Sequence, residues 1–259
     1  MPDAISIYLI VLIFGLIIGS FLNVCIYRIP AGKSIMWPGS HCPSCQNNLR
    51  WYHNIPVLSY AVLRGCCSFC GKKISLRYPS VELLTGILFV LVFSRFGLTF
   101  ASLVYSLFVA LLIVITFIDL DLQIIPDVIS LPGIVVGFLC SFLIPWLPWT
   151  DSLLGIILGG GSLFLVAAVY KMLTKIDGMG GGDIKLLAMI GAFIGWKAIL
   201  PVIFISSMVG CLVGIPLMLL KGSGTRLAIP FGPFLALGAV IYLLYGKYLI
   251  QWYLQVSFG

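Results

Sequence analysis

Long apolar stretches without a single charged side chain constrain the fold of this chain more than any other feature of its sequence. There are eight, at residues 4–27, 83–94, 96–118, 128–150, 152–170, 186–196, 198–220 and 227–246. A bilayer core takes about 20 apolar residues of helix. Only 9% of the residues are charged, against about 25% in soluble domains. The sequence therefore predicts an all-α polytopic membrane protein with about eight transmembrane helices.

The Lys and Arg residues predict how these helices are oriented. Residues 28–79 contain seven of the 15 basic residues and no acidic residue, and short basic loops remain in the cytoplasm. If successive loops alternate sides, 12 basic residues are cytoplasmic and three lie outside, which predicts eight spans with both termini outside. The net charge of +7 reflects this topology and favours anionic membrane lipid. Since no basic stripe is interleaved with aromatic residues, we expect no nucleic acid partner.

The polar segment between the first two apolar stretches differs in composition from the rest of the chain. Residues 28–80 are rich in Pro, Gly, Ser and Cys, and they are too few to bury a convincing hydrophobic core. Pro79 and Glu82 then mark a helix start, because Pro suits the first turn and an acid suits the positive helix end. We expect a first transmembrane helix (1–27), a cytoplasmic loop (28–80) and a seven-helix membrane domain (81–259).

Two C-x-x-C pairs lie within this polar loop. Cys42 and Cys45 are separated by 21 residues from Cys67 and Cys70, close to the spacing of structural zinc sites. Four thiolates complete a closed tetrahedron around one ion, which would supply the folding energy that the loop lacks. Disulfides or free thiols are the alternative, although a cytoplasmic loop is kept reduced. Cys66 could replace Cys67 in a shifted register, but the matching spacing favours Cys67.

Acidic residues are few, and five of the eight are predicted to lie on the cytoplasmic side: Asp119, Asp121, Asp127, Asp177 and Asp183. Acids within or beside membrane helices are costly, so they are functional candidates. Asp119 and Asp121 close the third predicted helix. Asp127 opens the fourth, where an N-cap role is the simplest interpretation. Asp183 precedes the short sixth.

A glycine-rich sequence, Gly178-Met-Gly180-Gly-Gly182, leads into Asp183. Glycine permits close backbone approach, so a peptide could lie beside this acid. Peptide hydrolysis by two carboxylates needs one ionised acid to take a proton from water and one protonated acid to polarise the carbonyl. We expect Asp119 and Asp183 to form such a pair, with Asp183 the more easily ionised because it lies at a positive helix end. The alternative is that these acids only cap helices and orient loops.

Six motifs resemble, in the same order, those of bacterial type IV prepilin peptidases. They are Gly19 to Val24 with Tyr27 to Pro30, the paired C-x-x-C motifs, Arg64-Gly65, Tyr78-Pro79 with Glu82, Ile118-Asp119 through Pro126-Asp127, and the G-x-G-D sequence from Gly180 to Asp183. The resemblance continues to Pro230-Phe-Gly-Pro233. It implies a bifunctional enzyme of the bacterial inner membrane that cuts basic leaders from prepilins and pseudopilins at the cytoplasmic face. Such enzymes then methylate the new N-terminal residue with S-adenosylmethionine.

The resemblance also implies roles for individual residues. Asp119 and Asp183 match the catalytic pair. The supporting residues in the same motifs are Gly180, Gly182, Asp121 and Asp127, and the zinc ligands are Cys42, Cys45, Cys67 and Cys70. Methyl transfer has no recognisable cofactor motif, and its candidates are Asn23, Gly65 and Glu82, in or near the polar loop. Two other functions stay open: a peptidase without methyl transfer, and a non-enzymatic membrane scaffold or transporter that uses its acids for ions.

Overall fold

Helices make up almost all the regular structure of this chain. The computed structural model describes residues 2–42, 44–175, 180–221 and 229–258. Nine α-helices occur in these ranges: α1 (Pro2–Arg28), α2 (Leu58–Val62), α3 (Arg77–Phe96), α4 (Phe100–Leu122), α5 (Asp127–Ser141), α6 (Trp149–Thr174), α7 (Gly181–Ile194), α8 (Ile199–Lys221) and α9 (Gly232–Phe258). Two 3₁₀ turns, Trp51–Asn54 and Trp196–Ala198, and two isolated bridges complete the regular structure of the same ranges. The all-α prediction is confirmed.

Six helices in the described part of the chain are long and apolar enough to cross a membrane: α1, α3, α4, α6, α8 and α9. The prediction of a polytopic membrane protein is thus confirmed, but eight spans are not established. α5 has 15 residues and α7 has 14, fewer than the roughly 20 that a bilayer core takes. The apolar stretch 128–150 is interrupted because α5 ends at Ser141 and Pro148 precedes α6 in extended backbone.

The chain divides within α4 into two compact units, Met1–Val114 and Ile115–Gly259. In the first unit, α1 packs against α3 through small residues. A Cβ added at Gly15 would lie 2.8 Å from Gly86 Cα, and one added at Gly19 would lie 2.7 Å from Glu82 Cα. Small residues allow such close packing between membrane helices. The polar loop therefore begins and ends on two closely paired helices, whereas the three-part division expected from composition stays a prediction.

Arg28, the last residue of α1, organises the start of the polar loop. Its buried guanidinium donates hydrogen bonds to the backbone carbonyls of Ser34, Ile35, Pro38 and Gly39, at 2.6 to 3.3 Å. Buried carbonyls need such donors, and the guanidinium group offers five N–H groups in a fixed plane. One side chain thus holds a bend that has no regular secondary structure of its own.

In the second unit, α6 and α7 approach each other backbone to backbone. Gly155 and Gly191 meet so closely that a Cβ on either residue would overlap the carbonyl of the other. One turn along α6, a Cβ at Gly159 would lie 2.5 Å from the Leu187 carbonyl oxygen. The close contact between the two helices therefore includes Gly159 as well as Gly155. At Gly161, by contrast, an added Cβ would meet nothing within 4 Å.

This contact predicts a difference between two identical substitutions on one helix. Gly155→Ala is expected to destabilise the protein by about 1–3 kcal/mol, because its methyl group must displace the backbone of Gly191. Gly161→Ala is the matched control and should cost nothing, since its methyl group enters open space. Thermal unfolding of the purified protein in detergent measures both, and equal midpoints for the two variants would contradict the described packing.

Candidate active site and metal centre

Asp119 lies in the last turn of α4, where the residue is 4% exposed. The backbone N–H of Gly232, the first residue of α9, donates a hydrogen bond of 3.0 Å to Asp119 Oδ2. The first N–H groups of a helix have no partner within the helix, so this donor is available for a carboxylate. The end of one helix and the start of another therefore meet at this side chain.

Gly232 is a position where a side chain has no room. A Cβ there would lie 2.6 Å from Asp119 Oδ2 and 3.4 Å from Ile125 Cδ1. Glycine is needed because the backbone itself approaches the carboxylate. Pro230 to Pro233 belong to the family resemblance, which gave them no role. A glycine between two prolines at a helix start was the signal that could have identified it.

Asp183 lies in the first turn of α7 and is partly buried. The preceding Gly182 packs on Ile125, since a Cβ at Gly182 would lie 2.9 Å from Ile125 Cβ. Ile125 thus lies between Gly182 and Gly232, and it brings the start of α7 next to the start of α9. The negative charge of Asp119 acts on Asp183 across this site. The structure therefore brings together the two acids that the sequence selected.

The expected ionisation of Asp183 is not supported. Burial, followed by the negative charge of Asp119, raises the pKa of Asp183 from 3.8 to about 6. Asp183 lies outside the six helices that are long enough to span a membrane. The positive end of α7 favours an ionised acid, but desolvation and a neighbouring carboxylate oppose it more strongly. Asp183 is therefore an acid that readily holds a proton, although two such carboxyls titrate as a pair.

A stability difference follows from this raised pKa. Between about pH 3 and pH 6 the folded chain binds more protons at Asp183 than the unfolded chain does, so ionising this acid lowers stability as the pH rises, with the full cost reached above about pH 6. Asp183→Asn is expected to raise stability by about 1–2 kcal/mol at pH 8, with the difference vanishing near pH 3. Thermal unfolding at the two pH values measures this. Asp151→Asn, which removes the partner of Lys197, is the control. A lower midpoint for Asp183→Asn at pH 8 would contradict the prediction.

The other acids occupy less enclosed positions. Asp127 is the first residue of α5, and Pro126 takes the N-cap position expected for it. Both Asp127 oxygens instead accept hydrogen bonds from Lys185 Nζ, at 2.7 and 2.8 Å. This ion pair connects the start of α5 to α7, two residues beyond Asp183. Asp121 is exposed in the last turn of α4.

The glycine-rich sequence before Asp183 is described only in part. Gly180 is exposed in extended backbone and precedes α7, and Gly182 packs on Ile125. Asp177, Gly178 and Met179 lie outside the described residues.

Four cysteines come together in the first unit. The sulfur atoms of four cysteines all lie within 4.8 Å of one another: those of Cys42, Cys45, Cys67 and Cys70. The Cys42 and Cys70 sulfurs are 3.9 Å apart. A tetrahedral Zn²⁺ with bonds of roughly 2.3 Å has ligand sulfurs about 3.8 Å apart. Backbone N–H groups of Cys45 and Ser44 lower the pKa of Cys42 to about 6. The cluster can therefore hold a metal ion.

The two C-x-x-C turns share one backbone pattern. The N–H of Cys42 donates to the carbonyl of Asn47 at 3.0 Å, and the N–H of Cys67 donates to that of Lys72 at 2.9 Å. Isolated bridges flank both turns, from His41 to Asn48 in the first and from Cys66 to Lys73 in the second. Cys66 therefore occupies the position of His41, one residue before the cluster. The register that includes Cys67 is the one the structure adopts.

The methyl-transfer candidates each have contacts within the first unit. The Asn23 amide donates to the carbonyl oxygen of Tyr78 at 3.1 Å. Glu82 Oε2 accepts a hydrogen bond of 2.8 Å from the N–H of Val57. Gly65 has a φ of +69°, in the left-handed region that favours glycine. These contacts connect α1, the polar loop and α3, and a role in methyl transfer stays a prediction.

Two interacting carboxylates at helix ends, one preceded by glycines, place this multi-pass protein in the class of membrane aspartic peptidases. Comparison with protein families agrees. Residues 13–96 match the bacterial peptidase A24 N-terminal domain, and residues 106–215 match the type IV leader peptidase family. The chain belongs to the type IV leader peptidase family.

Several curated relatives are similar to the chain over most of its length. It is 37% identical to a prepilin leader peptidase/N-methyltransferase of Pseudomonas putida, with 90% of this chain and 89% of the relative covered. A protein of the same name from Neisseria gonorrhoeae is 40% identical, with 81% and 82% covered. One from Aeromonas salmonicida is 38% identical, with 95% and 93% covered. No solved structure matches the chain.

Proposed function

We propose that this chain cleaves the leader from type IV prepilins or pseudopilins and then N-methylates the new N-terminal residue. The relatives carry both activities in their name. A non-enzymatic scaffold or transporter has no comparable support, because both family matches belong to peptidases. A peptidase without methyl transfer is the remaining alternative.

One observation carries the peptidase assignment. Asp119 is buried and held by the N–H of Gly232, while its charge acts on Asp183. Asp119 lies in the last turn of α4, so it does not cap the start of its own helix, and it accepts from a residue 113 positions away. The contact thus brings distant parts of the chain to one carboxylate.

In the proposed reaction, the two carboxyls share one proton. Asp119 takes a proton from water as the water oxygen attacks the scissile carbonyl carbon. Protonated Asp183 donates a hydrogen bond to the carbonyl oxygen, which gains negative charge in the transition state. The C–N bond then breaks, and the leaving amine takes up the proton from Asp119. The Gly232 N–H keeps Asp119 oriented throughout.

The substrate and its location follow from charge and topology. The polar loop and the acids are assigned to the cytoplasmic side of the bacterial inner membrane, as the distribution of basic residues predicts. A basic leader would meet the cluster of acids at these helix ends favourably. The exposed Gly180, where an added Cβ would meet only Gly182 N at 4.0 Å, would leave room for the peptide backbone beside Asp183. The apolar helix of the pilin would lie in the membrane.

A structural Zn²⁺ is the metal best suited to the four-cysteine cluster. Its sulfurs fit the spacing of a tetrahedral site, and four thiolates leave no position for catalytic water. A zinc ion would cross-link the two C-x-x-C turns and stabilise a loop that has little hydrophobic core.

The register of this site can be tested with two neighbouring cysteines. Cys67→Ser is expected to lose most of the bound zinc and to lower thermal stability, because thiolate ligation is removed. Cys66→Ser, which changes the residue next to the cluster, should keep about one zinc per chain. Metal analysis of both purified proteins measures this. Zinc loss in Cys66→Ser with retention in Cys67→Ser would reverse the assignment.

Methyl transfer is assigned to the polar loop and the helix ends beside it. S-adenosylmethionine would supply the methyl group, and the pilin amine released by cleavage would accept it. Asn23, Gly65 and Glu82 are the candidate residues. Asn23 in α1 bonds to Tyr78 at the start of α3, Glu82 in α3 bonds to Val57 in the loop, and Gly65 lies within the loop. None of them belongs to the unit that contains Asp119 and Asp183, which fits two activities with separate residues.

An assay that combines the purified protein with one purified prepilin tests both activities. With labelled S-adenosylmethionine, the protein should release the leader and then label the mature pilin on its N-terminal amine. Leader release without label would favour the peptidase alone. A purified, folded protein that neither cleaves nor labels any prepilin would contradict the proposed function.

A further inference from the structure

A buried serine joins α8 to α9 close to the candidate active site. Ser206 is completely buried in α8. Its Oγ lies 2.6 Å from the carbonyl oxygen of Val202 in the same helix, and 2.9 Å from that of Phe234 in α9. One hydroxyl proton is shared between these two acceptors. The contact therefore crosses from one helix to the next.

The packing around Ser206 holds the two helices in one position. A Cβ at Gly238 would lie 2.7 Å from Ser206 Oγ and 2.9 Å from the carbonyl oxygen of Val202. Gly238 follows Phe234 by one helical turn. α9 can therefore approach the hydroxyl only because this position is glycine.

The serine contact lies in the helical turn that supplies the Asp119 donor. The carbonyl of Phe231 accepts the N–H groups of Phe234 and Leu235, both at 3.1 Å. The Gly232 N–H and the Phe234 carbonyl therefore belong to the same hydrogen-bonded turn at the start of α9. Gly232 donates to Asp119 at 3.0 Å, so movement of this turn changes the environment of the carboxylate.

A purely local role accounts less well for the contact. A serine in a membrane helix satisfies its hydroxyl with the carbonyl one turn earlier, and Ser206 has that bond to Val202. It therefore does not need Phe234 to satisfy its own proton. The bond to Phe234 instead links the first turn of α9 to α8.

We propose that Ser206 is a positioning residue for leader cleavage, because its hydroxyl fixes the first turn of α9 so that the Gly232 N–H meets Asp119. The inference rests on the proposed peptidase function. It concerns a residue that does not touch the substrate and acts through Gly232. Misplacing a catalytic group by about 1 Å can slow an enzyme about 10²-fold.

The kinetics of leader cleavage by the unmodified protein and three variants distinguish this role from an effect on overall stability. Ser206→Ala is expected to lower kcat for leader cleavage about tenfold with KM unchanged. Ser206→Cys keeps the volume but has a weak donor, so it should resemble Ser206→Ala. Ser152→Ala is the matched control, since Ser152 is equally buried and donates to the Ala192 carbonyl between α6 and α7 at 2.7 Å. It should keep the kcat of the unmodified protein.

Hydrogen exchange supplies a readout that does not depend on activity. In the segment 229–235, the amides of the first turn of α9 should exchange faster in Ser206→Ala and remain unchanged in Ser152→Ala. Normal exchange and normal kcat in Ser206→Ala would overturn the proposal. So would full activity in Ser206→Cys, or an equal kcat loss in Ser152→Ala. If the unmodified protein cleaves no prepilin, the proposed function fails instead, and the exchange result still decides whether Ser206 holds this turn.

Discussion

Asp119→Asn and Asp183→Asn are each expected to lower kcat for leader cleavage by at least about 10³-fold. The first substitution removes the base that takes a proton from water, and the second removes the acid that polarises the scissile carbonyl. Both variants keep nearly the original side-chain volume, so the fold should persist. Rates of leader release from a purified prepilin measure the loss.

Two controls accompany this prediction. Asp151→Asn changes an acid that pairs with Lys197 and contacts Trp196, and it should keep normal cleavage. Methylation of a pilin that has already lost its leader should continue in Asp119→Asn and Asp183→Asn, because the candidate methyl-transfer residues lie in the other unit. Normal cleavage by either catalytic variant would contradict the assignment of the pair.

Gly232→Ala is the second substitution with a large expected effect, a loss of about 10²-fold in kcat. The added Cβ would lie 2.6 Å from Asp119 Oδ2, so the carboxylate or the start of α9 must move. Asp119 then loses both its orientation and its donor. The same measurement of leader release applies.

The control for Gly232→Ala is Gly161→Ala, whose methyl group enters open space. Thermal unfolding of both variants shows whether the loss of activity exceeds any loss of stability. A Gly232→Ala protein with full activity would mean that the hydrogen bond to Asp119 does not matter for cleavage.

The features that the sequence predicted well are those with a local cause. Apolar stretches define the long helices because a bilayer demands them. Asp119 and Asp183 stood out because acids near membrane helices are costly. The matching C-x-x-C spacing selected Cys67 over Cys66, because the geometry of such a turn is set by a few neighbouring residues.

The features that the sequence did not predict depend on contacts between distant residues. The donor from Gly232 comes to Asp119 across 113 positions, and the link from Ser206 to Phe234 crosses between helices. The raised pKa of Asp183 depends on its burial and on the charge of Asp119. Together these outweigh the effect of the helix dipole, which the sequence does predict. The ion pair of Asp127 likewise could not be predicted without knowing the position of Lys185.

The most direct test of the carboxylate pair is the kcat of the double variant Asp119→Asn/Asp183→Asn for leader cleavage. Residues that act as one unit lose activity together, so removing the second costs little once the first is gone. We expect the double variant to retain about the same residual kcat as each single variant. A double variant whose loss equals the product of the two single losses would mean that Asp119 and Asp183 act independently.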